Sequence, residues 1–201
     1  MKWAPPGDER AKQAKLRSVS TGDKLLLRPE SSEDQGEIHL INEAAFGRPD
    51  EADLVNRLRA EGVVLASLVA EDERAEARQG DKRIVAHILF SRMSIETGAG
   101  RVPAVALAPM AVLPQWQRRG IGGKLIRYGL DLLRERGERI VIVLGHPDFY
   151  PRFGFSTDKA RFLESPFPPE AFMALVLQPG ALDGVRGHVR YAAAFGLPEP
   201  A

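Results

Sequence analysis

The stretch Pro114-Gln-Trp-Gln-Arg-Arg-Gly-Ile-Gly-Gly-Lys-Leu125 decides the reading of this chain. It follows an apolar run, Val102 to Leu113, whose length and flanking turns favour a buried strand. It opens a helix expected over Gln117 to Arg136, closed by Gly137. Helix starts leave backbone N–H groups without intrahelical partners, and their dipole favours an anion. Glycines there lack Cβ atoms, so an oxyanion can approach the backbone closely. Arg118, Arg119 and Lys124 add positive charge, and together these features describe a diphosphate cradle. Glycines near a helix start also fit a plain strand-to-helix turn with close packing. Two nucleotide motifs fail. A Walker A loop needs glycine where Arg118 stands and Ser or Thr where Leu125 stands, and a dinucleotide fingerprint from Gly120 needs glycine at 125.

Upstream of the cradle, Lys24–Arg28 is expected to be a strand stopped by Pro29, and Ser32-x-x-Gln35 a capping box. Ile38, Ile41 and Ala45 then mark one helix face, ending near Gly47. A second helix carries Leu54, Val55 and Leu58. Val63–Ala70 and Arg83–Met93 read as strands around a charged loop, Glu71–Lys82, and Thr97–Gly100 as a hairpin turn. Downstream, Ile140–Leu144 is wholly apolar, as central strands are. A short helix is expected near Asp148–Phe153, then strands at Ala171–Leu177 and Val185–Ala192. The order predicts a mixed α/β domain around one sheet, spanning residues 24–201. Residues 1–23 are polar, with more Lys and Arg than Asp and Glu, and read as a flexible basic tail.

Bulk properties exclude several classes. The 201-residue chain is long enough for a sizeable core, and its net charge of +1 gives no global attraction to nucleic acid. It has no cysteine, which removes disulfides, thiolate metal sites and a cysteine nucleophile. The first 24 residues hold no continuous apolar segment of the secretory type. The longest apolar stretch, Val102 to Pro114, is short of a bilayer span and contains Pro103, Pro109 and Pro114. The expectation is a cytoplasmic protein without membrane partner. His39, His87, His146 and His188 do not pair at ligand spacing, so no metal is expected.

With these residues in view, the chain resembles the GCN5-related N-acetyltransferase (GNAT) superfamily. Gln117-x-x-Gly120-x-Gly122, preceded by Met110-Ala-Val-Leu-Pro114, is similar to its acetyl-CoA-binding motif. Val141-Ile-Val-Leu-Gly145 followed by Phe149-Tyr-Pro-Arg-Phe-Gly-Phe155 resembles the strand, short helix and Tyr-x-x-x-Gly-Phe ending of that fold. Ala86-His-Ile-Leu-Phe-Ser91 and Ala171–Leu177 resemble the YhbS-like branch.

The resemblance covers roughly residues 24–195. It implies a mixed, mostly antiparallel twisted sheet, splayed at the acetyl-CoA site, with helices on both faces. It implies that Met110, Ala111 and Val112 receive the pantetheine arm and acetyl group along a free strand edge. Arg118, Arg119, Gly120, Ile121, Gly122 and Gly123 would hold the pyrophosphate through backbone N–H groups, with Gln117 and Lys124 beside them in the cofactor site. Arg118, Arg119 and Lys124 could also meet the 3′-phosphate. Tyr150 would be the general acid toward the leaving thiolate. His87 and Glu43 are the candidates for the base, each with a structural reading beside it: a buried core histidine and a solvated helix carboxylate. The branch often has a second Tyr where Phe149 stands and an acid where His146 stands. The implied activity is direct transfer of acetyl from acetyl-CoA to a primary amine on a small molecule, peptide or protein. A non-catalytic acyl-CoA-binding module is the alternative. The assembly is expected to be a monomer or homodimer.

Overall fold

Thirteen short elements order the chain into one twisted sheet with helices against both faces. The computed structural model describes residues 19–21, 24–74 and 84–197. Their order is β1 (Val19–Thr21), β2 (Leu25–Pro29), α1 (Gln35–Phe46), α2 (Asp50–Ala60), β3 (Val64–Asp72), β4 (Ile84–Thr97) and β5 (Gly100–Val112). Then follow α3 (Ile121–Glu135), β6 (Ile140–Leu144), α4 (Thr157–Ala160), β7 (Leu163–Glu164), β8 (Phe172–Val176) and β9 (Gly187–Arg190). The strands form a nine-stranded sheet whose main path runs β1-β2-β3-β4-β5-β6-β8, with β9 bridging β4 and β7. All neighbours on the main path are antiparallel except β5 and β6.

The long hairpin of β4 and β5 is the sheet's spine, turning at Thr97–Gly100 as the sequence predicts. Its start pairs with β3 and its far end with β9, so β4 is covered along most of its length. β9 closes tightly: a Cβ on Gly187 would stand 1.8 Å from the Glu96 carbonyl oxygen.

The two sheet faces hold different helices. Leu68 and Phe90 point toward α3, where Gly129 makes room for them: a Cβ there would lie 2.3 Å from Phe90 Cε2. Leu125, Ile126, Leu130 and Leu133 form the buried stripe of α3 at helical spacing. On the opposite face α1 buries Ile38, Ile41 and Asn42. Arg28 pins the start of α1 to the sheet. Its guanidinium grips Asp34 through Nη1 at 2.6 Å and Nη2 at 2.9 Å, and Glu71 through Nε at 2.6 Å. Burial alone would raise the Asp34 pKa, but the Arg28 fork and the Ser31 N–H outweigh it and bring it down to about 2.

Several boundaries differ from the sequence reading. The acid that caps the entry to α1 is Asp34, which accepts from the Ser31 N–H at 2.6 Å, so the box sits one residue earlier than Ser32-x-x-Gln35. Val19–Thr21 pair with Leu25–Leu27, inside the segment read as a tail; the rest of that segment lies outside the described residues, as does most of the charged loop after β3. The main helix begins at Ile121 and not at Gln117, because Arg118 and Gly120 take left-handed φ values of 59° and 76°. That shift turns the first four positions of the expected helix into a loop. The small elements α4 and β7 carry too few residues for a periodic signal.

Gly129→Ala tests the packing of α3. Alanine gains up to about 1 kcal/mol of helix propensity, but displacing the fully buried Phe90 ring costs about 1–3 kcal/mol. With the full propensity gain set against that cost, the expected outcome is net destabilisation of up to about 2 kcal/mol, read by urea denaturation.

Candidate acyl-carrier site

The site begins where β5 and β6 part. They pair in parallel over Val105–Leu107 and Val141–Val143, and there the pairing ends. β6 runs only one residue further, to Leu144, while β5 continues and Met110–Val112 pair with β4 alone. Strand alternation fixes which groups the free edge presents. The Leu113 N–H donates to the Val85 carbonyl, so Ala111, two residues earlier, also faces β4. Met110 and Val112 therefore turn their main-chain groups toward the gap. The Val112 carbonyl is taken by Gln117, whose Nε2 donates to it at 3.1 Å and ties the following loop to the strand. The Met110 N–H and C=O and the Val112 N–H remain as a strand-pairing edge.

The loop from Gln117 to Gly120 aims backbone donors at the same place. Among the described residues, no N–H from Arg118 through Gly123 donates to a backbone carbonyl; the first helical bond is Lys124 N–H to Gly120 O at 3.1 Å. Left-handed residues beside right-handed ones turn successive N–H groups into a concave anion nest. The glycines have separate reasons. Gly120 supplies a left-handed φ. Gly122 lies against β5, where a Cβ would stand 3.3 Å from Met110 Sδ, and Gly123 lies under Phe153 at 3.2 Å. No acidic residue occupies the first turn of α3, so nothing there opposes a bound anion.

Tyr150 stands on the β6 side. Its ring rests on Gly145, where a Cβ would come 2.0 Å from Tyr150 Cε2. Phe149 and Phe155 meet it edge-on at 5.2 and 5.7 Å between centroids. Burial pushes the phenol up to about 12, so it keeps its proton throughout the neutral range. No described side chain or carbonyl hydrogen-bonds its hydroxyl.

The two base candidates are placed differently. His87 lies on the α1 face of β4, opposite Ala111, with no exposed surface. Asn42 Nδ2 donates to the Ile38 carbonyl at 2.8 Å and approaches His87 Nδ1 at 3.3 Å. That contact makes Nδ1 the acceptor and Nε2 the protonated nitrogen, which donates to Ser67 Oγ at 2.8 Å. Ser67 in turn donates to Glu30 at 2.5 Å, and Arg59 clamps Glu30 through Nε and Nη2 at 3.0 and 2.6 Å. Desolvation, with the Arg59 charge adding to it, lowers the His87 pKa to about 3, so the ring is neutral. The structure thus encloses His87 in a one-directional hydrogen-bond chain. Glu43 lies on the half-exposed side of α1, 3.4 Å from His39 Nε2. His146 is exposed on the turn after β6, with Nδ1 3.9 Å from Asp148 Oδ2.

Sequence reasoning missed Asn42, Ser67, Glu30 and Arg59 as a unit. The only signal was Asn42 itself, a polar residue four positions after Ile38 on the apolar face of α1. It also missed Gly145 as the seat of Tyr150. Among the described residues no group of His, Asp and Glu could hold a metal, and no helix is long and apolar enough to cross a membrane.

A family model for the acetyltransferase (GNAT) domain matches residues 27–157. The chain belongs to the GNAT acetyltransferase family. It is 37% identical over 172 residues to the uncharacterized N-acetyltransferase YjhQ of Escherichia coli (strain K12), covering 79% of this chain and 87% of that protein. The crystal structure of the Escherichia coli GNAT family N-acetyltransferase YhbS in complex with CoA matches with a TM-score of 0.78 and 30% identity, covering 90% of this chain and 97% of that one. A GNAT family acetyltransferase from Brucella melitensis, solved in complex with acetyl-CoA, matches with a TM-score of 0.68 and 36% identity, covering 86% and 99%.

The burial of this family member's His87 sets its acid sensitivity. An unfolded chain protonates the ring below about 6.5 and the fold resists until about 3. Stability is therefore full above pH 6.5 and falls below it, by up to about 1.4 kcal/mol per pH unit. A His87→Gln variant lacks this loss. The stability gap between wild type and variant should narrow from about pH 7.5 to about pH 4.5 in urea titrations. A constant gap would mean that the ring titrates alike in the folded and unfolded chain.

Proposed function

We propose that this GNAT family member is an acetyl-CoA-dependent N-acetyltransferase that moves acetyl directly onto a primary amine. The observation that carries the reading is the coincidence of two unsatisfied backbone arrays, the Met110–Val112 edge and the Arg118–Gly123 nest, on one side of the β5–β6 gap. A pantetheine arm is an extended chain with amide groups, which suits a strand edge. A diphosphate suits the nest. Nucleotide-bound relatives support it further, since the Escherichia coli and Brucella melitensis structures hold CoA and acetyl-CoA.

In this reading the thioester lies in the gap, and a free N–H of Met110 or Val112 donates to its carbonyl oxygen. That oxygen gains charge as the amine nitrogen attacks the carbonyl carbon, and a donor fixed in place stabilises it. The C–N bond forms, the C–S bond breaks, and the sulfur leaves as CoA thiolate. Tyr150, protonated at neutral pH, donates to that sulfur. The amine loses its proton to a base, for which Glu43 is the accessible candidate of the two; enclosed His87 is better suited to bracing Ala111 and α1. The acceptor enters from the α1 face, opposite the nest.

A second reading, an acyl-CoA-binding module without transfer, is favoured by one observation: β5 carries no carboxylate and His87 is enclosed. Turnover separates the two.

Calorimetric titration with acetyl-CoA, CoA and ATP tests the binding reading. Acetyl-CoA and CoA should bind and ATP should not; a folded protein that binds none of them defeats it. In an amine panel followed by CoA release, Tyr150→Phe should lower kcat by about 10²-fold or more, with little change in acetyl-CoA affinity. Gly145→Ala should reproduce part of that loss by displacing the Tyr150 ring. A Tyr150→Phe enzyme with unchanged kcat would remove the phenol from the chemistry.

A further inference from the structure

A phenol without a hydrogen bond to aim it is aimed by the contacts of its ring. Tyr150 is such a group among the described residues: its ring is buried against Gly145, and Phe149 and Phe155 meet it edge-on. It opens a single 3-10 turn, Tyr150–Phe153. Backbone bonds fasten this turn on the side of β6 and β8. The Tyr150 N–H donates to the His146 carbonyl at 3.3 Å, and two residues past the turn Ser156 pairs with Ala174 of β8.

Phe153 reaches the other way, to the first turn of α3. A Cβ on Gly123 would stand 3.2 Å from Phe153 Cζ, so a side chain at 123 would hold the ring off. Arg127, one turn along α3, brackets the contact. Its Cζ lies 5.1 Å from the Phe153 ring centroid, and its Nη1 donates to the Gly123 carbonyl at 3.4 Å. The ring quadrupole attracts that cation and so favours one placement of the ring. Phe149 completes the path. Its centroid lies 5.3 Å from that of Phe153 and 5.2 Å from that of Tyr150, with interplanar angles of 64° and 87°. Rings packed edge to face interlock, so a turn of one displaces the next. A run of contacts thus links Gly123 of the nest to Tyr150 through Phe153 and Phe149.

We propose that Phe153 and Phe149 are positioning residues for the transfer, an aromatic bridge that fixes the Tyr150 phenol relative to the carrier loop. The proposal rests on the reading of Tyr150 as the general acid. Proton donation requires a narrow range of distance and direction, and a misplacement of about 1 Å can cost about 10²-fold in rate. In that reading the leaving sulfur belongs to a carrier held by the loop, so the acid has to be registered to the same loop. Phe149, where the YhbS-like branch often has a second Tyr, serves this role through its ring alone.

The test is a double-mutant cycle on kcat, followed by CoA release, with acetyl-CoA affinity from calorimetry and each variant checked for a folded thermal transition. Phe153→Leu should lower kcat about three- to tenfold, the weight of an aromatic contact read as a rate, and leave acetyl-CoA affinity within about twofold. The same substitution in Tyr150→Phe should lower kcat no further, because the phenol it positions is gone. Phe149→Leu should behave like Phe153→Leu, and Phe149→Tyr, which keeps the ring, should restore most of the rate lost with leucine. Phe149 is partly exposed, so its variants carry the cycle where Phe153→Leu does not fold. A kcat loss of the same factor in both backgrounds overturns the bridge, since it marks a general loosening; so do leucine variants with wild-type kcat. Both results leave the acid reading standing. Unchanged kcat in Tyr150→Phe removes the acid, and a wild type that binds acetyl-CoA and turns over no amine removes the transfer; either takes the bridge with it.

Discussion

The parting of β5 from β6 after the Leu107–Val143 pair governs everything that follows it. A parallel pair that continued would have used the main-chain groups of Met110 and Val112 in the sheet. Because β6 ends at Leu144, one residue past that pair, while β5 runs on to Val112, those groups keep their hydrogen-bonding capacity without a strand partner. Backbone donors and acceptors left in this way are costly unless something pairs with them. The same divergence sets the opposite wall, since Gly145 and Tyr150 follow directly from the end of β6. One topological decision thus supplies an edge and a gap, with the buried Tyr150 ring seated just after the strand that ends there.

The two faces of the sheet divide the work. On the α3 face, close approach is the theme: Gly122 meets Met110, Gly123 meets Phe153 and Gly129 meets Phe90. Gly122 and Gly129 let α3 approach the strands and Gly123 lets it approach the turn that carries Phe153, and the loop at its start comes with it. On the α1 face, polar fixation is the theme. Asn42, His87, Ser67, Glu30 and Arg59 form a chain in which every donor direction is set by its neighbour. A neutral histidine is required there, because a protonated ring would present an N–H to the Asn42 amide. The Arg28–Asp34–Glu71 cluster adds a second clamp at the start of α1. β4, which pairs with the open-edged β5, is therefore held on one face by apolar contact with α3 and on the other by a hydrogen-bonded brace.

The sequence made the carrier side legible and the acceptor side obscure, for a physical reason. Binding a diphosphate through backbone requires particular φ values and missing Cβ atoms at fixed spacing, and glycine records those needs in the letters themselves. The Tyr-x-x-x-Gly-Phe ending is local in the same way. Ala111, His87 and Asn42 lie 24 and 45 positions apart along the chain, and only the pairing register of β4 with β5 and the packing of α1 bring them together. Arg118 shows the limit from the other side: an arginine in left-handed backbone carries no mark of it, so the loop read as the first turn of a helix. Phe153 likewise read as one letter inside a motif, while its contact with Gly123 belongs to packing that periodicity does not encode.

Under the proposed acyl-transfer reading, this division bears on how the acceptor can change without loss of the carrier. Nest, edge and phenol seat are built from backbone and from glycine, so side-chain substitution on the α1 face leaves them intact. Glu43 and His39 on α1 are partly exposed, His146 and Asp148 after β6 are exposed, and none of the four belongs to the buried brace. Their replacement costs little stability, since exposed ion pairs contribute at most about 1 kcal/mol. Under the proposed acyl-transfer reading, a scaffold arranged this way keeps one half of a two-substrate site rigid and lets the other half vary.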